Sequence, residues 1–236
     1  GARVAYLVKA NNSDEATLRV IDVATAKVSE VDVIEGAKYA SASWMPDGSG
    51  LLFAAVRNGM IGEFRRQFDK GGRADSVFFG PEQISIHSVT ADQRTGIGVV
   101  IEGSAFDIVA VNLEGPSRFD TLLATRYSEG WPALSPDDRW LAYQSDESGR
   151  MEVYLRAWPS LGSKVQVSQN GGTEPTWSRD GKELFYRSGG GTEPKMAAAV
   201  VVDGRVQSRT ELFSVGRYEF STPHRNFDVF PDGRSF

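Results

Sequence analysis

Trp177-Ser178-Arg179-Asp180-Gly181 stands between two extended runs, Thr173 to Trp177 and Glu183 to Arg187, and its reading decides the fold. A residue of proline or turn type opens the first corner, an aspartate can bond its side chain to nearby backbone amides, and glycine tolerates the left-handed exit. Such a turn specifies a tight link between antiparallel strands. The same pattern recurs at Trp44-Met45-Pro46-Asp47-Gly48, Leu134-Ser135-Pro136-Asp137-Asp138 and Val229-Phe230-Pro231-Asp232-Gly233, with a degenerate copy at Val89-Thr90-Ala91-Asp92-Gln93. The marker aspartates Asp47, Asp92, Asp137, Asp180 and Asp232 are separated by 45, 45, 43 and 52 residues. Spacing of roughly 40–45 residues is that of a four-stranded propeller blade.

Strands can be counted inside a unit. The unit of Asp180 reads as Thr173 to Trp177, Glu183 to Arg187, Met196 to Val202 and Val206 to Phe213, each a β-rich run bounded by turn residues. The unit of Asp137 repeats this through Leu141 to Gln144, Glu152 to Arg156 and Lys164 to Ser168. The longer last interval predicts an insertion, placed at the glycine-rich stretch Gly189 to Pro194. The expected fold is all-β, a propeller of four-stranded antiparallel blades. About five repeat lengths are present: 1–36 as strands 2–4 of a blade, 37–82, 83–126, 127–170 and 171–216 as blades, and 217–236 as the first strand of the next or closing blade. Exposed blade edges are a liability unless a ring closes. Either Arg225 to Val229 pairs with Arg3 to Val8 in a five-bladed ring, or the chain is part of a six- to eight-bladed ring, the reading preferred here.

The composition excludes several classes. Among 236 residues the net charge is −5, and no Lys/Arg stretch is interleaved with aromatics, so nothing offers a broad face to nucleic acid. There is no cysteine, hence no disulfide, thiolate catalysis or cysteine metal site. No window approaches eighteen consecutive apolar residues, so no membrane insertion by this segment is expected.

Trp131 to Tyr154, with Leu134-Ser135-Pro136-Asp137-Asp138-Arg139-Trp140-Leu141-Ala142-Tyr143 at its centre, resembles the WD-like repeats of the TolB family, as does Gly172 to Tyr186. Together with Arg225-Asn226-Phe227-Asp228-Val229-Phe230-Pro231-Asp232-Gly233-Arg234, these units look most like the C-terminal propeller of bacterial membrane-anchored serine/threonine protein kinases. The same repeats occur in translocation proteins and in the gating propellers of prolyl oligopeptidase-like peptidases, so the likeness specifies fold better than function. It implies a non-catalytic binding or sensor module that is a monomeric ring. The module would take a protein, peptide or cell-envelope ligand on its loop face or central channel, on the extracytoplasmic side of a bacterium. The alternatives it carries are a peptidase's substrate gate and a TolB-type translocation scaffold.

Catalytic chemistry finds little support in the residues. His87 and His224 are the two imidazoles and neither sits in a motif; Gly48-Ser49-Gly50 lacks nucleophile-elbow spacing. Kinase signature motifs are absent from the sequence, and Gly189-Gly190-Gly191 reads as a hairpin. Asn11-Asn12-Ser13-Asp14-Glu15 and Asp146-Glu147 cluster oxygens without EF-hand spacing and read as solvated turns. No cofactor, metal or catalytic residue is therefore assigned. Trp44, Trp131 and Trp177 are read as one recurring position that packs between blades. Trp158-Pro159 is the aromatic pair best suited to a binding loop.

Overall fold

In the computed structural model the described residues are 3–9, 14–35, 41–70, 73–103, 105–116, 118–189, 193–216 and 227–229. They form nineteen strands and no helix. Strands β1 (Arg3–Lys9), β2 (Glu15–Asp22) and β3 (Val28–Glu35) make an antiparallel sheet. Four sheets of four strands follow: β4 (Ala42–Trp44), β5 (Gly50–Arg57), β6 (Met60–Gln67), β7 (Asp75–Phe79); β8 (Gln83–Val89), β9 (Thr95–Glu102), β10 (Ala105–Asn112), β11 (Phe119–Leu123); β12 (Glu129–Leu134), β13 (Trp140–Ser145), β14 (Glu152–Ala157), β15 (Lys164–Gln166); and β16 (Gly172–Trp177), β17 (Glu183–Ser188), β18 (Lys195–Val202), β19 (Arg205–Ser214). A lone pairing of Glu35 with Val56 joins the first two sheets.

Each strand pairs with the next in sequence, which is what tight turns dictate, and the sheets then stack face to face. The apolar clusters lie between sheets rather than within them. One holds Leu52, Val77 and Phe78 against Ile84, Val100 and Val109. Another sets Val153, Leu155 and Val167 against Trp177, Leu184 and Tyr186. Middle strands are therefore covered on both faces: every residue of Leu51 to Ala55 is buried, whereas β19 at the rim is almost wholly exposed. This replaces apolar–polar alternation with continuous apolar runs.

The marker turns behave as their chemistry requires. Asp137 accepts from Ser135 Oγ at 2.6 Å and Arg139 N at 3.2 Å, and Asp180 from Ser178 Oγ at 2.8 Å and Lys182 N at 3.1 Å. Asp92 accepts from Thr90 Oγ1 at 2.6 Å and Asp47 from Ser49 N at 2.8 Å. The left-handed residue is Gly48, Gln93, Asp138 and Gly181 in turn, at φ 71°, 62°, 54° and 69°. Where glycine is lost, the replacement reaches the preceding turn: Asp138 Oδ2 accepts from Ala91 N at 2.7 Å, and Gln93 bonds Asp47. Backbone strain at these two turns is thus offset by a link between blades. Gly181 makes no such link, so Gly181→Ala is expected to cost about 1–2 kcal/mol of left-handed strain alone, readable as a shift in urea midpoint at constant slope.

Two expectations need correction. The stretch 189–194 is no insertion, because it spans the same six residues as 146–151 in the preceding blade; the extra length lies in the longer β18 and β19 and beyond Ser214. Glycine content marked a hairpin, while length was added by extending a ladder. Trp131 does not share the position of Trp44 and Trp177, which stand three residues before their marker aspartates; Trp131 stands six before, in a bulge. Trp158 lies in the β14–β15 hairpin, half-buried against the cluster of Ile97, Leu134 and Tyr143. Asp232, His224, Asn11 to Ser13 and the proposed pairing of 225–229 with 3–8 fall wholly or partly outside the described residues. Phe227 and Val229 pack on Phe185 and Met196.

Candidate functional site

Antiparallel connection sorts the loops to two ends. Marker turns and third-to-fourth-strand hairpins share one end; second-to-third-strand hairpins and the links between units share the other. The repeat markers are consequently remote from the end that carries the second-to-third-strand hairpins and the links between units, and loops on a rigid scaffold are where ligands bind.

At that end the first strand of each of the last three units carries a bulge. The ladder shifts between Ile86 and Ser88, between Gly130 and Ala133, and between Thr173 and Thr176. Pro132 and Pro175 suit the latter two bulges, since neither has an N–H to lose. Trp131 and Glu174 precede them at φ 50° and 58°, a region sparsely populated by non-glycine residues and strained before proline. An amide freed at this position is capped from the preceding blade: Glu174 N donates to Gln144 Oε1 at 3.0 Å and Ile86 N to Glu63 Oε1 at 3.0 Å.

Equivalent positions are filled differently at successive interfaces. Between the third and fourth units, Trp131 packs its ring 5.5 Å from Phe106 and 6.2 Å from His87, both measured between centroids. His87 is thereby placed as a buried packing residue. Glu129 closes the same corner, its carboxyl raised by burial against hydrogen bonding from Thr125, with Asp107 and Glu147 adding to the rise. Between the fourth and fifth units the counterparts of Phe106, Glu129 and Trp131 are Met151, Gly172 and Glu174. Less volume is filled, and an open cleft of about 280 Å³ remains, lined by Arg150, Met151, residues 171–173, Arg187, Gly189 and Pro194. Gly172 is obligatory there, because a Cβ would lie 2.3 Å from Ser168 Oγ.

The cleft is cationic in a chain of net charge −5. Arg187 Nη2 contacts Glu174 Oε1 at 2.8 Å and Arg150 Nε lies 3.1 Å from Glu152 Oε1. Both carboxylates are buried behind the wall, at 2% and 1% exposure, while the Arg150 side chain is 59% exposed. Glu152 is held further by Ser168 Oγ and by Gly171 N at 2.9 Å. Buried acids thus orient guanidinium groups toward the opening, an arrangement suited to anion recognition. Sequence reading missed both arginines: Arg150 lies within, and Arg187 directly after, a stretch read only as a repeat marker of the fold. Asp146 accepts from Ser128 N, and Glu147 pairs with Lys164. Among the described residues no three His, Cys, Asp or Glu side chains group to hold a metal ion.

Stacked four-stranded antiparallel sheets define the class as a β-propeller, a fold shared with TolB and with the N-terminal domain of prolyl oligopeptidase. Residues 1–63 match the family described as prolyl oligopeptidase, N-terminal β-propeller domain. TolB from Acinetobacter baumannii is similar at 16% identity and TM-score 0.72, over 90% of this chain and 53% of that one. The chain thus spans about half the length of that relative. A putative TolB from Agrobacterium tumefaciens is similar at 17% identity and TM-score 0.68, over 89% and 78%. A prolyl endopeptidase structure is similar at 20% identity and TM-score 0.61, over 89% of this chain and 33% of the other. No curated protein matches the chain in sequence.

Proposed function

We propose that the chain is a non-catalytic binding module that engages a protein or peptide ligand at the end where the second-to-third-strand hairpins meet. The observation that carries this reading is the cleft between the fourth and fifth units, where Met151, Gly172 and Glu174 stand in place of the packed Phe106, Glu129 and Trp131. Selecting peptides from a random library on the immobilised domain, then mapping them by amide exchange, tests it. Protection is expected at 146–151 and 171–173; peptides that protect the marker turns, or a library that yields none, would overturn the reading.

The pairing of the two repeat units from Trp131 to Tyr186 with Arg225 to Arg234 supports an extracytoplasmic sensory region of a bacterial serine/threonine kinase as the setting. A substrate gate of a serine peptidase is the second reading, favoured by the family match over residues 1–63. Reading the coding sequence on both sides decides between them. Kinase signature motifs upstream followed by one apolar stretch of about twenty residues support the first. A downstream Gly-x-Ser-x-Gly hydrolase supports the second and removes the sensor and extracytoplasmic proposals.

A further inference from the structure

We infer that the Arg150–Arg187 cleft is a carboxylate-binding subsite for a peptide ligand, an inference that rests on the binding-module reading and assigns it a ligand chemistry. Four observations converge. The charged side chains lining the cleft are two arginines, with no acid among its lining residues. The acids that balance them, Glu152 and Glu174, are buried behind the wall and have their oxygens committed to it: Glu152 to Arg150, Ser168 and Gly171, Glu174 to Arg187. Arg150 is ion-paired with Glu152, its Nε 3.1 Å from Oε1, and its side chain is 59% exposed. A guanidinium paired along one edge and otherwise open to the cleft can offer its outer donors as a fork to one incoming planar anion.

The remaining walls are Met151, Pro194, Gly171, Gly172, Thr173 and Gly189, which leave room for a small apolar body and bring one hydroxyl beside it. About 280 Å³ lies at the lower limit of ligand pockets and admits one residue, not a large ligand. One planar fork beside these walls matches a carboxylate better than a phosphate, whose extra charge and three-dimensional oxygen set would demand more donors than the wall offers.

The neighbouring interface shows that the fold does not require this cleft. At the matching positions Ala105 replaces Arg150, Gln144 replaces Arg187, Glu129 replaces Gly172 and Trp131 replaces Glu174. There the corner is filled by aromatic packing and carries an acid. These four differences, with Met151 in place of Phe106, distinguish the open corner from the packed one.

The test titrates the intact chain with N-acetyl-Ala-Leu as the free acid, its C-terminal amide, N-acetyl-Asp-amide and inorganic phosphate, following backbone amide signals by NMR. The free acid is expected to shift 150–151 and 172–173, with the neutral amide at least about tenfold weaker. Equal binding by N-acetyl-Asp-amide supports the subsite and makes an acidic side chain its source; binding by the free acid alone makes the source a C-terminus. Arg150→Met is expected to lose at least about tenfold in affinity, and Arg150→Lys to recover only part of it because an ammonium is no fork. The acid–amide comparison on the unaltered chain stands even where a variant fails to fold. Equal affinity of acid and amide, tighter phosphate binding at the same signals, or shifts elsewhere would overturn the inference. Library peptides that bind the loop end regardless of their carboxylates would sink it while leaving the binding-module reading intact.

Discussion

Replacing Trp177 by alanine is expected to destabilise the protein by about 3–5 kcal/mol. Its ring is 8% exposed and packs in the cluster shared by the fourth and fifth units, with Ala133, Val153 and Leu184 among its members. Its Nε1 donates to Ala133 O at 3.1 Å, across the interface. The truncation therefore removes both contact area and a buried hydrogen bond between blades. Trp177→Phe separates the two: it keeps most of the apolar volume and loses the bond, for an expected cost of about 1–2 kcal/mol. Urea unfolding followed by far-ultraviolet circular dichroism gives both values. A loss below about 0.5 kcal/mol for the alanine variant would place the ring on the surface and contradict the packing described above.

Stability should fall as pH rises from about 5 to about 8, and Glu63→Gln should abolish that fall. Glu63 lies on β6 with no exposed surface, at a repeat position that is Ile108, Val153 and Met196 in the later units. Burial pushes its carboxyl up to about 8, against the lowering effect of the Ile86 N–H it accepts. A folded pKa above the unfolded one means that the folded state holds the proton more tightly. The resulting stabilisation is fully present below the unfolded pKa of about 4.5 and is lost as pH rises through 8, by an amount on the order of 4–5 kcal/mol. Glutamine keeps an acceptor for Ile86 N and has no proton to release, so its stability should be level across this range. Glu63→Met should instead leave the bulge amide without its acceptor, costing about 1–3 kcal/mol at every pH. Parallel melting curves from pH 5 to about pH 9 decide the matter; the same slope in wild type and Glu63→Gln would show that another group is responsible.

The marker aspartates pull the other way. Asp47, Asp92 and Asp180 are held below the usual carboxylate range by hydrogen bonds from Ser49, Thr90 and Ser178 respectively. In Asp137 burial acts to raise the carboxyl but is outweighed by Ser135 and Arg139. Their contribution is present above the unfolded pKa and is lost as pH falls through the folded one. With Glu63 working in the opposite sense, the stability maximum belongs between the two ranges, on the acid side of neutrality.

The repeat, the blade class and the strand positions were legible in the sequence because their causes are local. A Pro-Asp-Gly turn is decided by the φ preferences of three residues and by bonds from an aspartate to amides two residues on, and the extended runs on either side fix which strands it joins. Those are properties of about five consecutive residues. The four strands of the last unit fall at Gly172–Trp177, Glu183–Ser188, Lys195–Val202 and Arg205–Ser214, within two residues of their reading from the chain.

What only the tertiary structure decided depends on residues far apart. β12 carries one residue more than β13 between the pairs Gly130–Gln144 and Ala133–Ala142, and the bulge this makes around Trp131 and Pro132 belongs to two strands paired across the sheet, not to either one alone. The burial of Glu63 depends on β8 packing over β6, and no pattern within Glu63-Phe64-Arg65 marks a carboxyl for the core. The cleft depends on Arg150 and Arg187, thirty-seven positions apart, meeting across the interface of two sheets. Arg150 is exposed and Arg187 is half-buried, and each is paired with a buried acid. Local chemistry sets where the chain turns; the stacking of one sheet on the next sets which side chains share a space and which space stays open.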